Sequence, residues 1–107
     1  MKQYRVEFSD DAKRDIGRSY EWGRDKWGAT AAAGWYRKLK AQTRETLTRF
    51  PLSQPIAPEN EDVSGEIRHM IFGRYRILFE IIGNTVRVLH VRGAFVDKGH
   101  IDLGVEE

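Results

Sequence analysis

At 107 residues the chain has room for one domain (1–107) with a single core, and no second module is expected beside it. A hydrophobic share of 40% against a charged share of 32%, with apolar runs far too short to cross a bilayer, reads as a soluble globular protein and excludes a membrane partner. The absence of cysteine excludes disulfides and thiolate metal sites, three scattered histidines make no metal centre, no cofactor is expected, and a net charge of only +2 argues against sequence-specific DNA binding by this chain alone.

The opening MKQYRVEF lacks the apolar stretch of a secretory signal, so the protein is expected in the cytoplasm. Within it Tyr4, Val6 and Phe8 alternate with Arg5 and Glu7, predicting a first strand half-buried on one face. Ser9 followed by Asp10 and Asp11 is a helix start, a hydroxyl cap with acids at the positive end of the helix dipole. Ala12, Ile16, Tyr20, Gly23 and Trp27 form one stripe, and Gly28 ends that helix. Thr30 is the expected cap of a second helix, whose stripe runs through Ala32, Tyr36, Leu39, Thr43, Leu47 and Phe50 before Pro51 stops it. The short connection predicts a helical hairpin, with Trp22 and Trp35, both off their stripes, packed on one another. Leu52 to Ser64, with Pro55 and Pro58, reads as a loop.

Three antiparallel strands are expected between Glu66 and Gly93. From Tyr75 to Ile82 the apolar alternation is clear, and Gly83-Asn84 suits a two-residue type II′ hairpin turn. That turn sets Ile81 against Val86, Glu80 against Arg87, Phe79 against Val88, Leu78 against Leu89 and Ile77 against His90. Ile77, Phe79, Ile81, Val86 and Val88 then form a floor for the helices. A three-residue turn at Gly73 places Arg68 opposite Glu80, so that Arg68, Arg76 and Arg87 cluster on the other face and Ile67 and Ile71 join the floor. Nothing in the chain is left to cover that second face. After Gly93 the patterning fades, and 96–107 reads as a loose tail. The fold class is therefore α+β in the order β-α-α-β-β-β, an antiparallel sheet of about four strands with a two-helix hairpin on one face.

Charge is uneven along the chain. Glu59, Glu61, Asp62 and Glu66 precede the sheet, while Arg68, Arg74, Arg76, Arg87 and Arg92 lie within it. These five arginines are the candidate binding residues, suited to carboxylate or phosphate. For Arg87 the directly opposed Glu80 offers a purely structural role. His90, on the expected apolar face, reads more readily as a hydrogen-bonded histidine at the edge of the core than as a base.

The order of elements, with Trp27-Gly28, Pro51, Ile67-Arg68, the run Gly73-Arg74-Tyr75-Arg76-Ile77-Leu78-Phe79-Glu80 and Val88-Leu89-His90-Val91-Arg92, resembles the RelE/ParE toxin superfamily over nearly the whole domain. The resemblance implies the toxin of a bacterial type II toxin-antitoxin pair, neutralised by a cognate antitoxin whose disordered tail folds onto it. One branch of the superfamily inhibits DNA gyrase by binding, and the other is a ribosome-dependent mRNA endonuclease. For the nuclease branch the catalytic candidates are Arg76, Arg92 and His90. That branch also implies an arginine after the VLHVR segment and a tyrosine near the C-terminus, yet Arg92 is followed by Gly93-Ala94-Phe95-Val96 and no tyrosine follows Tyr75. The ParE-like branch with gyrase as target is accordingly the expected one, ribosomal mRNA cleavage the alternative, and a non-toxic antitoxin-binding relative the second alternative. The histidine and arginine that end related ParE-like chains shortly after this segment are missing as well.

Overall fold

The computed structural model describes residues 2–58 and 66–93. The elements follow in the expected order: β1 (Arg5–Phe8), α1 (Asp10–Trp27), α2 (Ala29–Arg49), a 3-10 turn (Pro51–Ser53), β2 (Ile67–Phe72), β3 (Tyr75–Ile82) and β4 (Thr85–Gly93). The loose tail expected over 96–107 and the acids Glu59, Glu61 and Asp62 lie outside the described residues. No helix among the described residues is long and apolar enough to cross a membrane.

Ser9 caps α1 as its sequence implies: its Oγ accepts the Ala12 amide at 3.0 Å and donates to the Leu89 carbonyl at 3.0 Å, tying the helix start to β4. Gly28, with φ +95°, closes α1 and at once opens α2. This reversal in one residue corrects the expectation for Thr30, which falls inside the first turn of α2, where no side chain caps the helix. Ala12 and Ile16 of α1 and Ala32, Leu39, Thr43 and Leu47 of α2 are buried along the expected stripes. Gly23 is buried beneath the Trp27 ring, which a Cβ there would meet at 2.8 Å. The two off-stripe tryptophans do not pack on one another: Trp22 stands edge-on to Trp27 with centroids 5.4 Å apart, and Trp35 packs against Tyr75 at 5.1 Å.

The sheet runs in the order β1-β4-β3-β2, and it is mixed rather than wholly antiparallel. β1 lies parallel to β4, with Val6 beside Val86 and Phe8 beside Val88. The helical hairpin between β1 and the other strands is a crossover long enough to permit that direction. β3 and β4 pair antiparallel in the expected register from Ile82–Thr85 through Phe79–Val88, and Gly83 takes φ +61° at the first position of their turn. Beyond it a β-bulge between Leu78 and Phe79 leaves Leu89 as the extra residue, so Leu78 faces His90 and Ile77 faces Val91. His90 is therefore not opposite Ile77 as its spacing implied; Val91 is, and it is buried.

The turn between β2 and β3 has two residues, Gly73 at φ +59° and Arg74, not three. Like Gly83, Gly73 supplies the positive φ that lets a two-residue turn match the twist of its strands. The one-residue difference inverts β2. Met70 faces Ile77 and joins the core, Ile67 faces Glu80, Arg68 faces Phe79, and Ile71 stands 58% exposed.

The main core lies between the helices and one face of the sheet, around Ile16, Leu39, Leu47, Ile77, Phe79, Val86 and Val88. The stretch Pro55–Ala57, expected as plain loop, runs along β2: Ala57 N–H donates to Ile67 O at 2.8 Å, and His69 N–H to Pro55 O at 3.1 Å. Ala57 is buried with Ile67 and Leu78, with Leu89 packed against them. The second face is thus partly covered by the chain itself, contrary to expectation.

Candidate functional site: the sheet face turned away from the helices

Directly paired residues share a face, so the register writes the far face as three cross-strand rows. The first is Ile71, Arg76, Arg92; the second is His69, Leu78, His90; the third is Ile67, Glu80, Arg87. Successive rows along β3 are about 7 Å apart. Arg76 and Arg92 are directly opposed, a like-charge pairing that works against the ladder unless other groups take it up.

Of the expected binding residues, the structure brings Arg76 and Arg92 together, with Arg87 two rows off on the same face. Arg68 is elsewhere. Facing Phe79, it sends its guanidinium to the Leu52 and Gln54 carbonyls and to Glu66 at 3.0 Å, and so clamps the 3-10 turn to β2. Arg74 is exposed at the tip of the β2–β3 turn. The cluster of Arg68, Arg76 and Arg87 around Glu80 does not form. Glu80 and Arg87 are opposed in register, yet among the described residues no ion pair closes between them.

Two histidines complete the face with opposite proton placement. Arg76 Nη1 lies 3.0 Å from His69 Nδ1, and because a guanidinium only donates, Nδ1 accepts and neutral His69 carries its proton on Nε2. His90 Nδ1 lies 3.1 Å from Asp15 Oδ2, and because a carboxylate only accepts, His90 carries its proton on Nδ1 and presents Nε2 as the lone-pair nitrogen when neutral. The same Asp15 oxygen accepts the Val91 N–H at 3.0 Å, and Oδ1 takes Arg18 at 2.8 Å. Asp15 stands in for the strand partner that β4 lacks once β1 has ended at Phe8.

Neither Asp15 nor His69 stands out in the sequence. Asp15 reads there as a polar residue off the α1 stripe, and only the β4 bulge carries His90 to it. The signal for His69 is the two-residue turn at Gly73, whose register puts it on the same face as Arg76, one row along.

The one tyrosine of the sheet cannot serve as an accessible phenol. Tyr75 is buried on the helix side against Trp35, and burial pushes its hydroxyl above the usual tyrosine range, with a Ser19 contact working the other way. Among the described residues no group of three or more histidines or carboxylates could hold a metal ion.

The fold is that of known toxins. The toxin-antitoxin structure "Chromosomal ParDE TA system from P. aeruginosa" superposes with a TM-score of 0.72 at 15% identity, over 85% of this chain and 96% of that one. The toxin-antitoxin complex RelBE2 from Mycobacterium tuberculosis gives a TM-score of 0.57 at 26% identity, over 87% of this chain and 93% of that one. No curated sequence matches the chain. The family model for the ParE toxin of the type II toxin-antitoxin system parDE matches residues 6–94, from β1 to just beyond β4, and the chain belongs to that family.

Proposed function

We propose that this ParE-type toxin acts by binding rather than by cleavage, with DNA gyrase as its target, and that a cognate antitoxin neutralises it by covering the far face of the sheet. The observation that carries the reading is the makeup of that face: Arg76, Arg92 and Arg87 beside the exposed Ile71 and Ile82 and the half-buried Leu89. An acidic, amphipathic segment gains charge-assisted hydrogen bonds and apolar burial together on such a surface. The similar structures are toxin-antitoxin complexes, which supports an antitoxin as partner. Against cleavage stand the Gly93-Ala94-Phe95-Val96 sequence after Arg92 and the burial of Tyr75, which leaves β2–β4 without an accessible phenol.

The enzymatic alternative has one specific observation in its favour, the Asp15–His90 contact. A carboxylate that fixes a histidine tautomer and leaves Nε2 free is the arrangement of an oriented general base. In ribosome-dependent mRNA cleavage His90 Nε2 would accept the proton of the 2′-hydroxyl as its oxygen bonds to phosphorus and the bond to the 5′-oxygen breaks, with Arg76 and Arg92 neutralising the phosphate and the departing oxygen taking a proton from water.

Purified protein separates the two readings. With gyrase and plasmid DNA the binding reading expects trapped gyrase–DNA cleavage complexes, and with translating ribosomes it expects intact mRNA. A-site cleavage that Arg76→Ala abolishes would overturn it. Absence of growth arrest on induction would instead identify a relative retained only to bind antitoxin.

A further inference from the structure

The mild net charge of +2 conceals an asymmetry between the helices. α1 balances five acids against five bases, two of the acids paired along the helix with Arg14 and Arg18, whereas α2 carries Arg37, Lys38, Lys40, Arg44 and Arg49 against Glu45 alone. α2 by itself therefore holds a net charge of +4, more than the whole chain. Three of its cations, Arg37, Lys40 and Arg44, recur at spacings of three and four and so share one side of the helix.

That side runs along the outer edge of β1. Thr48 O accepts the Tyr4 N–H at 2.8 Å, and Arg44 Nη1 donates to Val6 O at 3.0 Å. Aromatic rings hold the cations in place: Lys40 Nζ lies 5.0 Å from the Phe8 centroid and 5.6 Å from that of Tyr36, Arg44 lies 5.2 Å from Phe8, and Lys2 Nζ lies 4.9 Å from Tyr4. A ring beneath an ammonium or guanidinium group orients the charge without cancelling it. None of these cations meets a carboxylate in an ion pair among the described residues.

We propose that this flank of α2 and β1 holds the phosphate backbone of duplex DNA, without regard to sequence. From Arg37 to Arg44 the cations span about 10 Å of helix axis, the rise of about three phosphates along one strand. Of the other residues on that side Ala41 lies between them and Ala33 and Thr48 lie one turn beyond either end, all small enough for a rigid rod to approach. They also offer no apolar anchor, which sets this flank apart from the far sheet face and from what a folding acidic peptide needs. Single strands need free rings on which bases stack, and here Phe8 is buried while the Tyr36 ring, 39% exposed, is engaged by Lys40 and by the edge of Tyr20. The choice of DNA over RNA rests on gyrase as the proposed target.

The test is direct binding of the full-length protein to a fluorescent DNA duplex by anisotropy across a salt series, with no gyrase present, so its outcome is separate from that of the gyrase reading. Three phosphate contacts predict a slope of log K against log salt near about −2.7, and the Arg37→Gln, Lys40→Gln double variant should reduce its magnitude by about 1.8. The charge-keeping pair Arg37→Lys, Lys40→Arg should restore the slope, and Arg24→Gln, Lys26→Gln in the last turn of α1 should leave it unchanged. Melting curves confirm that each variant is folded. No DNA binding at low salt, a slope indifferent to the Arg37 and Lys40 changes, preference for an RNA duplex, or displacement of DNA by polyglutamate at equal charge would each overturn the proposal.

Discussion

Under the helices the sheet presents Ile77, Phe79, Val86 and Val88, none with any exposed surface, while its other face sets Arg76, Arg92 and Arg87 between Leu78, Leu89 and Ile71. The same strands supply both faces by simple alternation, so their sequences encode two tasks at once. One task is complete within the chain, because α1 and α2 cover the first face. Among the described residues the other is only begun, because Pro55–Ala57 covers just the Ile67–Leu78 end of the second. The contrast teaches that packing against one side is enough to fix the fold, so the residues of the other side can be chosen for a different use.

The largest expected effect lies on the covered face. Phe79→Ala should cost about 3–5 kcal/mol in chemical denaturation, the range for emptying a fully buried aromatic site, and Arg87→Ala on the far face about 0.5 kcal/mol or less. Equal costs would erase the distinction between the faces.

Asp15→Ala probes the seam where helix layer and sheet meet. It leaves the Val91 N–H and His90 Nδ1–H without their acceptor and should destabilise by about 1–3 kcal/mol. Nitrogen-detected NMR of His90 should show the fixed Nδ1–H tautomer in the parent protein and a mixture in the variant. A His90 tautomer unchanged by the substitution would remove Asp15 as its orienting group.

Much of the covered face was legible in the sequence, and the reason is physical. The Ile77, Phe79, Ile81 alternation, the Gly83-Asn84 turn and the Ser9 cap are local signals, each written within a few residues. The far face depended on longer-range choices. Two-residue and three-residue turns at Gly73 fit the residues nearly alike, and only the cost of exposing Met70 and Phe72 decides for the shorter one, which sends Arg68 to the 3-10 turn. The bulge at Leu89 carries no glycine or proline to announce it, yet it moves His90 from the core to Asp15. The parallel pairing of β1 with β4 follows from where the helical hairpin delivers the chain, which no strand sequence states. The sites misplaced were therefore those whose position accumulates register along the sheet.

The smallest effect concerns Tyr75, a buried phenol on the covered face. The pKa of Tyr75 is raised above its ordinary 10.0, so the folded state holds its proton more tightly than the unfolded state does. Its contribution is complete below pH 10.0 and is lost as pH rises through the folded value. Tyr75→Phe should therefore flatten the fall of stability on the alkaline side and leave the neutral range nearly unchanged. An identical alkaline slope in the variant would show that the fall comes from other groups.

The central claim, that the far face is made for a partner and not for the fold, is tested most directly by reversing its charge. An Arg76→Glu, Arg87→Glu variant should keep the melting behaviour of the parent protein, lose high affinity for a cognate antitoxin, and show weaker salt dependence in the binding that remains. Undiminished affinity in the folded variant would contradict the account and place the antitoxin on another surface.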